Sequence, residues 1–149
     1  MRTLVWRRLD EPGMEIAYVE SLERAHGTQL GVAYELHWQL DRDTLALEVA
    51  GGRSAVAELG DADFFDVFAS PFFNSLPVAR DALLDAGPAR DYTMCFVDVP
   101  SLEVTRSAQR YAPRGGRVVG YSSGSFAADI EFDADGFVTM YDGFLERLS

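Results

Sequence analysis

A chain of 149 residues has the length of one ordinary domain, enough to bury about 68–70% of the surface its unfolded form exposes without help from staples. Apolar residues make up 48% and charged residues 25%, which excludes a disordered tail, and 13 basic against 24 acidic side chains leave a net charge of −11 that repels a nucleic-acid backbone. Cys95 is the single cysteine, which excludes an internal disulfide and a cysteine-rich zinc site.

Thr3 to Arg8 opens the chain as a strand. The apolar stretch between Arg2 and Arg7 is far shorter than the roughly 7–15 residues of a secretory core, and no uncharged stretch approaches the ~20 residues that span a bilayer, so a cytoplasmic protein is expected. Glu15 to Ser21 reads as a second strand. From Val32 to Asp41, the residues Val32, Tyr34, Leu36, Trp38 and Leu40 share one face and Glu35, His37, Gln39 and Asp41 the other, the alternation of a half-buried strand. Asp41-Arg42-Asp43 turns the chain into Thr44 to Val49, and Gly51-Gly52 turns it again into Ser54 to Leu59, which makes consecutive hairpins.

One helix is predicted, over about residues 75–86. Asn74 or Ser75 supplies a cap, Pro77 suits the first turn, and Gly87-Pro88 a stop. Leu76, Val78, Ala79, Ala82, Leu83 and Ala86 fall in one arc roughly 160° wide at 100° per residue, opposite Asp81 and Asp85. So broad an apolar face needs walls on several sides. Further strands follow at Asp91 to Val99, Leu102 to Arg110, Arg117 to Ser122, Ser125 to Phe132 and Phe137 to Tyr141. About ten strands and one helix exclude a doubly wound parallel sheet and predict a mainly β domain over residues 1–149, an antiparallel sheet that wraps around the helix.

The run Asp66-Val67-Phe68-Ala69-Ser70-Pro71-Phe72-Phe73-Asn74-Ser75-Leu76-Pro77-Val78-Ala79-Arg80 resembles the signature of a bacterial family named for glycolipid binding, an aspartate followed by Thr-Pro-x-Thr-Asn-Thr-Leu-Pro-Ile-Arg-Arg. Val99 to Leu102, Gln109 to Tyr111, Tyr121-Ser122, Phe126 to Asp129, Asp133 to Val138, Tyr141 and Phe144 to Leu148 follow in the family's order, and Trp6 and Leu9 to Glu15 resemble its start. The chain departs from the pattern at Phe64, where an aspartate is usual, at Phe73, where a threonine is, and at Ala79, where the first of two arginines is. Members are usually several dozen residues longer, ahead of the Asp66 motif. The resemblance implies a spiral β-roll, often dimeric, that carries a glycolipid-like amphiphile. Its ligand is an inference from fold.

The candidate ligand-binding residues are Trp6, Glu15, Asp66, Asn74, Arg80, Gln109, Tyr111 and Tyr121. Asp66 is a candidate carboxylate partner for Arg80, which falls at the edge of the apolar arc, either as a structural ion pair or as one that offers the guanidinium to an anionic head group. Asn74 is equally a helix cap, and the tyrosines and tryptophans are equally core. His26 and His37 have no zinc-ligand spacing, Asp133-Ala134-Asp135-Gly136 lacks the rest of a calcium loop, and Cys95 sits in an apolar strand, so neither metal nor cofactor is expected. Binding of an amphipathic molecule in a cavity between sheet and helix, without chemistry, is the leading reading. A small hydrolase or isomerase built on Asp66 with Arg80, or on Glu15, is an alternative, and a ligand-free interaction protein another. A homodimer is expected through Arg117 to Ser122, read as a poorly guarded edge.

Overall fold

The computed structural model describes residues 1–149 as thirteen strands and one helix in a single sheet. Strands β1 (Arg2–Arg8), β2 (Met14–Val19), β3 (Arg24–Leu30), β4 (Glu35–Asp41), β5 (Thr44–Val49) and β6 (Ser54–Glu58) form a meander outward from the centre to one end. The chain then jumps to the other end with β7 (Phe64–Val67), passes through helix α1 (Phe72–Arg80), and returns through β8 (Arg90–Val97), β9 (Val104–Gly115), β10 (Val118–Ser123), β11 (Phe126–Phe132), β12 (Val138–Tyr141) and β13 (Leu145–Arg147). β13 pairs with β1 and joins the halves, and β7–β8, bridged by the helix, is the one parallel pair.

Connectivity alone forces this sheet to roll. Laid flat, thirteen strands would be about 58 Å across, whereas the link 59–63 between the two end strands reaches about 20 Å. The ends must therefore approach, and Arg53 Nη1 donates to Ser101 O at 3.1 Å and Cys95 Sγ to Glu58 O at 3.8 Å across the gap. One large, mostly antiparallel sheet with a single short helix is the expected mainly β roll.

Alternation sets which side chains enter the roll. In β4 Leu36, Trp38 and Leu40 are buried between exposed Glu35, His37 and Gln39. Trp6, Leu45, Met94, Val119 and Ile130 come in from other strands, and Phe72 and Phe73 from the helix. Trp38 stacks on Phe72 with ring centroids 5.5 Å apart and meets Phe73 edge-on at 4.8 Å. The expected strand from Val32 begins three residues later, because Gly31 N–H bonds to Tyr34 O in a turn that leaves Val32 exposed.

The helix lies earlier than predicted. It starts from Pro71 with no side-chain cap, so Asn74 and Ser75 lie inside it, and Pro77 sits mid-helix rather than in the first turn. It ends in a Schellman arrangement. Ala82 takes the left-handed conformation at φ 54°, and Leu83 N–H reaches back to Val78 O at 3.1 Å, five residues before Gly87. Tertiary burial explains the shift: every residue from Phe72 to Val78 is buried, a segment not amphipathic enough for periodicity to mark. Leu83, the apolar residue that closes the motif, is 4% exposed. Leu83→Ala is expected to lower the unfolding free energy by about 2–5 kcal/mol in urea titrations, and a loss below about 1 kcal/mol would show that this turn is not enclosed.

The edge expected at Arg117 to Ser122 is not one. β10 is internal, hydrogen-bonded to β9 on one side and β11 on the other, so it has no free groups for a second chain. The sheet ends instead at β6, where Ser54, Val56 and Glu58 are exposed, and at β7, whose four residues are all buried.

Candidate functional site

Where β7 gives way to the helix, the chain turns at Ala69, a non-glycine residue held at φ 60°. This reversal puts Phe68 partly into solvent and brings Asp66 and Asn74 to one side of the helix start. Facing them across a cavity of about 450 Å³ are Tyr121 of β10, Phe126 of β11 and Tyr141 of β12, with Phe144 beyond. Asp10 and Asp142 stand among the residues around it. The aromatic rings form a continuous wall: Phe126 to Tyr121 at 6.1 Å, Tyr121 to Tyr141 at 6.1 Å, Tyr141 to Phe144 at 5.2 Å and Phe144 to Phe68 at 5.8 Å.

Asp66 is 8% exposed and receives a hydrogen bond from Gln109 Nε2 at 2.8 Å. Burial pushes its carboxyl up to about 6, against the stabilising bonds from Gln109 and the Val67 N–H. Gln109 Oε1, also buried, has no partner. Asn74 Nδ2 donates to the Tyr111 hydroxyl at 3.3 Å, which fixes the amide beside the cavity, while Tyr111 lies fully buried behind it, edge-on to Tyr92 and Tyr121. Burial first, and then the Asp66 charge, hold the Tyr111 and Tyr121 hydroxyls above their ordinary range. Asp66, Asn74 and Tyr121 therefore line one cavity, and Gln109 and Tyr111 support them from the interior.

Three candidates lie elsewhere. Trp6 is fully buried and donates Nε1–H to Val138 O at 2.9 Å, as a core tryptophan does. Glu15 belongs to a second, closed polar cluster. Trp38 Nε1–H donates to Oε1 at 2.5 Å and Ser70 Oγ–H to Oε2 at 2.6 Å. Gln29 Nε2 lies 2.9 Å from Ser70 Oγ and 3.4 Å from Glu15 Oε2, and Tyr34 donates to the Gln29 carbonyl oxygen. Burial pushes the Glu15 carboxyl up to about 8 even though these three donors pull the other way. The cluster ties β2, β3 and β4 to the chain just before the helix.

Arg80 does not meet Asp66. Its Nε lies 3.3 Å from Asp81 Oδ1, and its guanidinium covers the Phe64 ring at 4.0 Å, in a separate cavity of about 420 Å³ walled by Leu22, Leu40, Leu59 and Leu76. The expected Asp66–Arg80 pair is thus corrected to Asp66–Gln109 and Arg80–Asp81, because the helix ends at Arg80 and turns that side chain toward β7's far side. Two of the three departures from the family pattern are absorbed by packing: Phe64 lies under Arg80 and Phe73 against Trp38. Ala79 packs against Gly136, where an added Cβ would lie 3.1 Å from the Ala79 Cβ. None of the three lines the aromatic cavity.

Other sequence features are structural. Exposed His37 lies 2.7 Å from Glu35 Oε2, Cys95 is buried, and Asp133 closes the β11–β12 hairpin while holding Arg2 at 2.6 Å and Arg147 at 2.7 Å. A broader hollow of about 800 Å³ over β3 to β6 is open, and in it Thr28 Oγ1 lies 3.3 Å from His37 Nδ1. Sequence reasoning missed Phe68, Phe126, Tyr141 and Phe144 as site residues. The signal available was an aromatic at each strand end near a glycine, Phe126 after Gly124 and Phe144 after Gly143.

A comparison with curated protein sequences gives no match. Among solved structures, the crystal structure of a DUF1089 family protein from Pseudomonas aeruginosa matches with a TM-score of 0.75 and 22% identity over 91% of this chain and 92% of that one, a likeness of fold. A family model described as "Putative glycolipid-binding" matches residues 21–147, so the thirteen-stranded roll and the residues of its aromatic cavity belong to a member of that family.

Proposed function

We propose that the protein binds a small amphipathic molecule of the glycolipid-like class in the aromatic cavity, with the polar end at Asp66 and Asn74 and the apolar part along Tyr121, Phe126 and Tyr141, and does no chemistry on it. The observation that carries this reading is a buried carboxylate and a fixed amide facing a wall of rings whose ends, Phe126 and Phe68, are 52% and 38% exposed. Aromatic faces cover the C–H faces of sugars and alkyl chains, and convergent polar groups fix orientation. The volume lies toward the lower part of the roughly 300–1,000 Å³ range of small-molecule pockets, sized for a head group and the start of a chain. The cavity between sheet and helix lies at the helix start, beside Asn74, whereas the interior around Phe72 and Phe73 is filled by Trp38 and its neighbours.

The acid–base alternative loses its arginine, since Arg80 faces a different cavity, and Glu15 is sealed from solvent. Calorimetry with octyl glucoside below its micelle concentration tests the proposal. Saturable 1:1 binding is expected, weakened about tenfold by Phe126→Ala, whose half-exposed side chain can be removed without unfolding the roll. Binding unaffected by that substitution, or no saturable binding of this probe or of charged octyl amphiphiles, would overturn it.

A further inference from the structure

The charged residues that line the aromatic cavity are all acidic, and the nearest cation, Arg8, covers only its Phe68–Phe144 end. Asp10, Asp66 and Asp142 are among its residues, and no arginine or histidine is. The chain contains no lysine at all, and most of its arginines are paired elsewhere, among them Arg106 with Asp61, Arg110 with Asp91 and Arg114 with Asp129 on β9 alone. Asp10 is spent as well, since Arg8 holds it through two hydrogen bonds of 2.8 and 2.7 Å. Asp66 is different. It is buried, its partners are the Gln109 amide and the Val67 N–H, and no cationic group forms an ion pair with it. A buried carboxylate without a counter-charge is costly, and the usual remedy is a cation nearby.

The wall of the cavity is suited to receiving one. Tyr121, Tyr141, Phe126 and Phe144 line it and meet at interplanar angles of 59–77° instead of stacking in parallel, so none of these rings is sandwiched between the faces of its neighbours. Such faces attract cations electrostatically. The protein itself demonstrates this at the far end of the wall, where the Arg8 guanidinium lies 4.5 Å from the Phe144 centroid and 5.4 Å from that of Phe68. Inside the cavity the corresponding cation is missing from the chain's own side chains.

We propose that the ligand of this cavity is a cationic amphiphile, one whose polar end carries an ammonium group seated between the Asp66 carboxylate and the faces of Tyr121, Tyr141 and Phe126. The inference rests on the binding role assigned above and narrows it, since an amino sugar head group and a choline-like one share this chemistry. An anionic head group is disfavoured on the same ground.

Three probes with the same chain decide it: octyltrimethylammonium, octyl glucoside and octyl sulfate, each titrated below its micelle concentration at about 150 mM salt. The ammonium probe is expected to bind about tenfold or more tightly than the glucoside, and the sulfate not to saturate. Asp66→Asn is expected to cost the ammonium probe about tenfold while shifting the glucoside less than about twofold. Should Asp66→Asn fail to fold, Phe126→Ala must weaken the ammonium probe by a larger factor than the glucoside. Asp91→Asn, an exposed charge on β8, controls for attraction to a chain of net charge −11: if it weakens ammonium binding as much as Asp66→Asn does, the inference is wrong. Glucoside binding equal to or tighter than ammonium binding overturns the inference and leaves the binding role standing. Silence from all three probes overturns the binding role itself.

Discussion

Glu15→Gln is expected to stabilise the protein at pH 9 by on the order of 5 kcal/mol and to leave it nearly unchanged at pH 4. Glu15 is fully buried, and its carboxyl titrates near 8 in the fold against 4.5 in an exposed chain. The unfolded chain therefore loses this proton first as pH rises. Its stabilising contribution is complete below about pH 4.5, falls through the interval up to about 8, and is gone above it. A glutamine keeps the shape and the acceptor for Trp38 Nε1–H and removes the charge, so the fall should vanish. Asp66, pushed up to about 6, adds a fall of the same sign in a lower window, and Asp10, pulled down by its hydrogen bond from Arg8, acts in the opposite sense at lower pH still. Both are present in the variant and cancel in the difference. Urea midpoints at pH 5, 7 and 9, read by tryptophan fluorescence, measure it. A stability difference independent of pH would show that Glu15 does not titrate in this window.

Phe72→Ala should remove about 3–5 kcal/mol, a large share of the roughly 5–15 kcal/mol that holds a domain together. Phe72 is the first residue of α1 and fully buried, with Trp38, Phe73 and Phe137 around it at centroid distances of 5.5, 5.2 and 6.5 Å. It joins the inner face of β4 to the helix and, through Phe137, to the β11–β12 turn. Truncation leaves a cavity that neighbours on three elements cannot all move to fill. Denaturant titration at pH 5, where the Glu15 penalty is small, gives the value. A loss under about 1 kcal/mol would mean that the helix is not seated against β4.

The chain's local patterns determined much of this. β5 runs over the residues that alternation marks, Thr44 to Val49, and β4, β10 and β11 begin and end within a few residues of their sequence limits, because period-2 burial is written in adjacent side chains. The same patterns are silent on β3. Its inward positions are Ala25, Gly27 and Gln29: the Trp38 ring lies so close over Gly27 that a Cβ would sit 2.5 Å from it, and Gln29 serves the Glu15 cluster instead of the core. β7 is equally hidden, since Phe64 to Val67 are buried on both faces and show no alternation. The helix was legible in kind but not in extent, because its limits come from burial on all sides and from Ala82 taking a conformation that sequence assigns to Gly87.

For the site, the family likeness and the Asp66–Asn74 run were in the sequence, and so was the excess of acidic groups. Which groups meet was not. Asp66 finds Gln109, 43 residues away, instead of Arg80, and the rings of β10, β11 and β12 reach it because a link of five residues between β6 and β7 carries the chain from one end of the sheet to the other and rolls it up. Side-chain periodicity depends on neighbours a few residues apart. Contact across a roll depends on strand pairing and closure, and only the folded sheet decides those.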